Sequence, residues 1–170
     1  MKSQVLFFFV ILCMIKVFSI TNYDQHITGG GYFSCGILEN KNIKCWGDVS
    51  YKEITGSFYQ LSAGFLHLCA IQSDGNVQCF GNNLYDKAPS TVPGSFTQIS
   101  AGDIHTCGIL SNGNAYCWGS NYNNECNGAN VKYLQISAGN NFTCGLMMNG
   151  SVRCWGLNDC TASTTIDHTY

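Results

Sequence analysis

The chain has 170 residues, of which 45% are hydrophobic, only 11% are charged and 11 are cysteine. Eight Lys and Arg against ten Asp and Glu, a formal net charge of −2, exclude a polybasic surface for nucleic acid. So large an apolar share excludes a disordered chain, and so many cysteines point to an oxidising compartment or to metal.

Residues 1–19 read MKSQVLFFFVILCMIKVFS. Lys2 precedes an unbroken apolar run, Val5 to Ile15, and Val17 and Ser19 occupy the two positions a signal peptidase inspects. This layout predicts a secretory signal peptide cleaved after Ser19. The apolar run rises about 16 Å as a helix, short of a hydrocarbon core of about 30 Å, so it is no membrane span. Nor is any later stretch apolar enough, and the C-terminus carries no lipid-anchor tail. Cleavage removes Cys13 and leaves ten cysteines; it also removes Lys2 and Lys16, leaving six basic against ten acidic residues and a charge of −4. The expected product is a secreted, extracellular domain over residues 20–170.

That domain repeats. FYQLSAGFLHLCAIQSDGNVQCFGNN from Phe58, FTQISAGDIHTCGILSNGNAYCWGSN from Phe96 and YLQISAGNNFTCGLMMNGSVRCWGLN from Tyr133 align without gaps. A weaker copy, DQHITGGGYFSCGILENKNIKCWGDV, starts at Asp24. The repeats run over about 24–57, 58–95, 96–132 and 133–160, with a tail at 161–170. Each copy reads as three strands, as in Gln98–Gly102, Cys107–Leu110 and Asn114–Trp118. The last two are joined by a turn at Asp74-Gly75, Asn112-Gly113 or Asn149-Gly150. The first copy has Asn40-Lys41 there, a cost if the position needs positive φ. No window shows helical periodicity, so the chain is all-β.

The cysteines follow the repeat: Cys35 and Cys45, Cys69 and Cys79, Cys107 and Cys117, Cys144 and Cys154, each pair ten positions apart. A three-residue loop Ser111-Asn112-Gly113 puts glycine where a type I turn with a bulge needs a left-handed residue. Counting outward sets Leu110 against Asn114, Ile109 against Ala115, Gly108 against Tyr116 and Cys107 against Cys117. Opposed residues lie within disulfide reach, so four disulfides, one inside each repeat, are predicted. Structural zinc wants cysteines two to four residues apart, and this spacing does not offer that. Cys126 and Cys160 fall outside the pattern: either they bridge the third and fourth repeats, or they are free or intermolecular thiols.

The run Ser-Ala-Gly, two residues, His, one residue, Cys, then Asn/Asp-Gly and Cys-Trp-Gly resembles the regulator of chromosome condensation repeat, in the cysteine-bearing subtype of extracellular proteins. Ser62-Ala63-Gly64, His67, Gly75 and Cys79-Phe80-Gly81 carry the likeness in the second copy. Ser100-Ala101-Gly102, His105, Gly113 and Cys117-Trp118-Gly119 carry it in the third. The fourth has Ser137-Ala138-Gly139, Gly150 and Cys154-Trp155-Gly156, and the first only Gly30 and Cys45-Trp46-Gly47. Crinkly-type receptor ectodomains and propeller-type beta-lactamase inhibitory proteins carry similar repeats. The resemblance implies a β-propeller-type array of four short blades, either closed or an open arc that self-associates to complete the ring. Trp46, Phe80, Trp118 and Trp155 recur at one position and are expected to pack between blades.

No catalytic constellation, phosphate-cradling loop or metal-ligand spacing is present, so no enzyme activity, cofactor or metal is expected. His67 and His105 share a repeat position with Phe33 and Phe142, which marks packing rather than ligation. Two sequons, Asn141-Phe142-Thr143 and Asn149-Gly150-Ser151, are glycosylation candidates, though such tripeptides also arise by chance. The segments Asp48–Ser57, Asn82–Ser95 and Ser120–Lys132 vary while the strands repeat, as binding loops on a rigid scaffold do. Tyr122, Asn123, Asn124 and Tyr133 are the candidate contact residues, because exposed tyrosines favour interfaces; solvated spacers are the plainer reading. The expected function is a non-catalytic module binding an extracellular protein or glycan. An inhibitor of a secreted enzyme is the alternative, and a guanine-nucleotide exchange role is the remote one.

Overall fold

The computed structural model describes residues 26–128 and 131–157. The signal peptide of residues 1–19, Cys160 and the tail 161–170 lie outside the described residues.

Four antiparallel sheets follow one another along the chain. The first holds β1 (Ile27–Gly29), β2 (Phe33–Ile37), β3 (Ile43–Gly47) and β4 (Glu53–Ile54). The second holds β5 (Phe58–Ala63), β6 (His67–Gln72) and β7 (Val77–Gly81); the third holds β8 (Phe96–Ala101), β9 (His105–Leu110) and β10 (Ala115–Gly119). The fourth holds β11 (Tyr133–Ala138), β12 (Phe142–Met147) and β13 (Val152–Gly156). Beyond the first sheet the outer fourth strand shrinks to a single bridge, Val77 to Val92 in the second and Asn114 to Lys132 in the third.

Register follows the turns. Leu110 N donates to Asn114 O at 2.9 Å and Gly113 N to Leu110 O at 2.7 Å, so Cys107 faces Cys117. Asn112 Oδ1 holds Asn114 N at 2.9 Å, and Asn40, Asp74 and Asn149 make the same bond two residues on. This side-chain turn is what the dipeptides encode. Gly75, Gly113 and Gly150 have φ of 85, 85 and 83°, and Lys41 takes φ of 67° at the same place, so the first repeat carries the backbone cost there.

Because Leu110 and Asn114 form a hydrogen-bonded pair, alternation makes Cys107 and Cys117 a non-hydrogen-bonded one, where opposed side chains come closest. All four predicted partners are bonded: Cys35–Cys45, Cys69–Cys79, Cys107–Cys117 and Cys144–Cys154, with Cα atoms 4.0 to 4.1 Å apart.

The core lies between sheets. Phe33, Cys35, Ile43, Phe58, Leu61 and Leu68 fill the slab between the first two. Ile71, Val77, Phe96 and Ile99 fill the next, and Ile109, Tyr133, Ile136 and Trp155 the third. Each inner strand packs on the sheet before it: β5 on β1 and β2, β8 on β5 and β6, β11 on β8 and β9. The arc is open. Ile27 is 74% exposed, whereas Leu61, Ile99 and Ile136 at the same repeat position are at most 2% exposed.

The Ser-Ala-Gly glycines set how closely the inner strands approach. A Cβ on Gly64 would lie 2.1 Å from Gly102 O, and one on Gly102 2.1 Å from Gly139 O. Gly102→Ala is therefore expected to destabilise the protein by about 1–3 kcal/mol through overpacking. Gly29→Ala, with nothing within 4 Å of the new carbon and alanine in the other three repeats, is expected to be neutral. Urea unfolding of both variants checks this; equal effects would contradict the packing.

Candidate functional site

Between sheets, side chains of one repeat reach the backbone of the next. Ser62 Oγ accepts from Ala101 N at 3.0 Å, Ser100 Oγ from Ala138 N at 2.9 Å, and Thr28 Oγ1 from Ala63 N at 3.1 Å. Gln60 Oε1 accepts from Ile99 N, and Gln98 Oε1 from Ile136 N, both at 2.9 Å. His67 Nε2 bonds Thr106 Oγ1 at 2.8 Å, and His105 Nε2 bonds Thr143 Oγ1 at 2.7 Å. These histidines and threonines are fully buried. A histidine beside a hydroxyl has the atoms of a base and a nucleophile, but here neither is open to a substrate. Each histidine is thus packing, as its exchange with phenylalanine implied, and also carries a buried hydrogen bond between sheets. In the first interface Phe33 and Leu68 stand at these two positions and share an apolar cluster.

Burial, with smaller contributions from Lys87 and His105, pushes the His67 ring down to about 3, and burial lowers His105 as well. Above pH 6.5 both folded and unfolded chains keep the rings neutral. Below it the unfolded chain takes up protons that folded His67 refuses until about pH 3. Stability is therefore lost as pH falls through that window, by up to about 1.4 kcal/mol per pH unit for the ring.

The variable loops are built into the same interfaces. After β7, Asn82 Oδ1 accepts from Leu84 N at 3.0 Å and Asn83 Oδ1 from Ala88 N at 2.8 Å. Ala88 and Val92 then bury in the core. Lys87 O accepts from Trp118 Nε1 at 3.2 Å. After β10, the buried carboxylate of Glu125 accepts from Ser120 Oγ at 2.9 Å and Asn123 N at 2.6 Å. Glu125 O accepts from Trp155 Nε1 at 2.7 Å and Thr143 Oγ1 at 3.0 Å. The recurring tryptophan thus fastens the loop of the preceding repeat. Glu125 is missed from sequence; its signal is a lone acid in an Asn-rich stretch.

Held this way, the two loops bring Tyr85 and Tyr122 together, ring centroids 5.6 Å apart and edge-on. Tyr122 is 81% exposed, and Leu84 and Tyr85 are also exposed. Tyr85 and Asp86 hold φ of 66 and 57°, and Asn124 63°, backbone strain of the kind that collects where a loop is used. Asn124 is exposed, Asn123 half-buried, and Asn124 Oδ1 accepts from Asn127 Nδ2 at 2.9 Å.

Tyr133 does not join them. It is 2% exposed at the head of β11 and packs on Trp155 at 5.6 Å. It occupies the buried aromatic position of Phe58 and Phe96, so the expectation of a contact residue there is corrected. Cys126 donates its thiol to Ser120 O at 3.3 Å, and burial, aided by Glu125, pushes that thiol up to about 12. Its possible partner Cys160 lies outside the described residues. Asn149 is exposed at its hairpin tip, with Ser151 Oγ donating to Asn149 Oδ1 at 2.6 Å. Asn141 is half-buried, and its Thr143 hydroxyl is engaged between sheets.

The ends of the four inner strands, from Gly29–Gly31 to Ala138–Asn140, meet at a cleft of about 320 Å³. Among the described residues no three His, Cys, Asp or Glu side chains gather as metal ligands, and no helix is long and apolar enough to cross a membrane.

The model of the regulator of chromosome condensation (RCC1) repeat matches residues 58–86, 96–125 and 134–161, together about half of the chain. The chain belongs to the RCC1 repeat family. Solved propellers share its fold. The CRINKLY WD40 ectodomain of the Arabidopsis thaliana receptor kinase ACR4 is 29% identical, with a TM-score of 0.65 over 77% of this chain and 49% of that one. The entire ectodomain of the Physcomitrella patens receptor kinase CR4 is 30% identical, with a TM-score of 0.68 over 76% of this chain and 40% of that one. Prp20p from Saccharomyces cerevisiae, 20% identical, shares the fold with a TM-score of 0.66 over 78% of this chain and 44% of that one. The chain spans half or less of the length of these structures. The first repeat lies outside the family match, as its degraded motif implies.

The double substitution H67F/T106L copies Phe33 and Leu68 into the second interface. It is expected to flatten the loss of stability between about pH 7 and about pH 4 relative to the parent. Urea unfolding across that range measures it, and an unchanged pH slope would contradict the buried neutral ring.

Proposed function

We propose that this RCC1-repeat protein is a secreted, non-catalytic binding module that recognises an extracellular protein or glycan through the loops after its second and third sheets. The observation that carries the reading is the exposed Leu84, Tyr85 and Tyr122 cluster on two rigidly fastened loops. Large aromatic area at low conformational cost is what recognition surfaces use, and loops tied down by Glu125 and Lys87 O lose little entropy on binding. Four disulfides, the signal-peptide layout of residues 1–19 and the likeness to receptor-kinase ectodomains support an extracellular setting, where such bonds persist. The same setting weighs against a nucleotide-exchange role. No observation favours inhibition of an enzyme over plain binding.

The test uses immobilised secreted protein against a glycan array and against extracellular proteins of the source organism, with Tyr122→Ala alongside. The expected result is a ligand whose affinity falls at least about tenfold in the variant, with the thermal midpoint unchanged because Tyr122 is exposed. Absence of any Tyr122-dependent ligand in both arms would count against the reading.

The sequon at Asn149 is the one expected to be used, because Asn149 is exposed at its hairpin tip, whereas Asn141 is half-buried and its Thr143 hydroxyl is engaged between sheets. Expression through a eukaryotic secretory pathway should give a mass increment that Asn149→Gln abolishes and Asn141→Gln leaves intact. The opposite pattern would contradict this.

A further inference from the structure

The first interface between sheets breaks a rule that the other two keep. Trp118 Nε1 donates to Lys87 O and Trp155 Nε1 to Glu125 O, so each fastens the loop of the preceding sheet. Phe80 holds that place in the second sheet and has no side-chain N–H to donate. It packs on Tyr51 instead, ring centroids 5.9 Å apart. We propose that the groove left open there, between the loop after β3 and the second sheet, is a socket for one arginine or lysine side chain of a protein partner.

The groove has a volume of about 360 Å³. Phe33, Val49, Tyr51 and Leu66 give it apolar walls, and Asp48 and Asn82 polar ones. In the next interface the loop side chain takes up this place. Lys87 is buried, and its Cβ lies 3.1 Å from where a Cβ on Gly119 would stand. The matching point on Gly81 is met by the Tyr51 hydroxyl at 3.0 Å. That hydroxyl is buried without a hydrogen-bond partner, and the ring is left as a wall of the groove.

The polar groups set the charge of the guest. Asp48 is exposed, and the neighbouring Lys52 donates its ammonium to Gly47 O at 2.7 Å. A carboxylate on an apolar, aromatic-walled slot suits a cation on a long aliphatic stem. The methylenes would lie along Val49 and Leu66, and the charged head would meet Asp48 beside the tyrosine ring. The surroundings point to a protein as the source. Tyr32 and Phe65, 64% and 41% exposed, pack together at 5.5 Å. Tyr32 O accepts from Asp48 N at 3.0 Å and Leu66 O from Asn82 N at 2.9 Å, so this pair is joined to the groove. A socket for one side chain with an exposed aromatic collar is how anchor residues are received at protein interfaces; a free amine would leave the collar unused. The socket uses other residues than Tyr85 and Tyr122, so its failure leaves that reading untouched, and the reverse.

The test is amide-shift mapping by NMR of the full secreted chain, titrated with N-acetyl-arginine methylamide and N-acetyl-lysine methylamide. The citrulline analogue, which keeps the shape of arginine without its charge, runs alongside. The expected result is saturable binding of a cationic probe that shifts Val49, Ser50, Tyr51, Leu66 and Asn82, with the citrulline probe at least about threefold weaker. Asp48→Asn is expected to weaken the cationic probe by at least about threefold. Asp86→Asn, the same loss of charge at an exposed residue of another loop, should leave it unchanged. Both variants should keep the thermal midpoint, because both residues are exposed. No saturable shift in the groove from either cationic probe, equal binding of the citrulline probe, or an equal response of the two variants overturns the proposal.

Discussion

The covalent bond across each hairpin is the constraint from which the rest of the structure follows. It joins residues ten apart at a non-hydrogen-bonded position, and that placement fixes the register of the middle and outer strands. A slip of one residue would move every side chain to the other face. With the register fixed, Leu68, Thr106 and Thr143 are held opposite the recurring aromatic ring, and both project toward the preceding sheet. The bond also lies within the slab between sheets, where Cys35, Cys69 and Cys107 are wholly buried. It serves as packing as well as a staple, and by closing a short loop it contributes roughly 2.5–3 kcal/mol on a chain-entropy estimate.

Sheets so stapled are too small to bury themselves, and the array works by nearest-neighbour contact. Three kinds of bond recur between neighbours, and the glycine carbonyls at the inner strand ends leave no room for a side chain. The loop after each sheet belongs to this system rather than lying over it. Trp118 and Trp155 reach back to Lys87 O and Glu125 O, so the blade that follows positions the loop that precedes it. Recognition through Tyr85 and Tyr122 would therefore draw its rigidity from the same interface that holds the propeller together.

Much of this is legible in the sequence because the repeat shows each rule several times. The strand triplets, the turn dipeptides and the cysteine register all come from periodicity and hairpin geometry. The same logic explains what is missed. Tyr133 reads as a loop tyrosine if it is seen as the end of Ser120–Lys132, and as core only when aligned with Phe58 and Phe96. The His67 to Thr106 bond links different columns of different repeats, so comparing one column at a time finds the histidine-for-phenylalanine exchange but not its partner exchange of threonine for leucine. Glu125 stands eight residues after Cys117 as Lys87 does after Cys79, and the two carbonyls take the same tryptophan bond; the exchange of lysine for glutamate hides that backbone role, and the carboxylate bonds to Ser120 and Asn123 are set by the local loop.

The most direct test of the account is the disulfide map of the secreted protein, obtained by non-reducing digestion and mass spectrometry. The account predicts Cys35–Cys45, Cys69–Cys79, Cys107–Cys117 and Cys144–Cys154, each within one repeat. A bond joining any of these eight cysteines to a different repeat, or to Cys126, would contradict the hairpin register and with it the propeller built upon it.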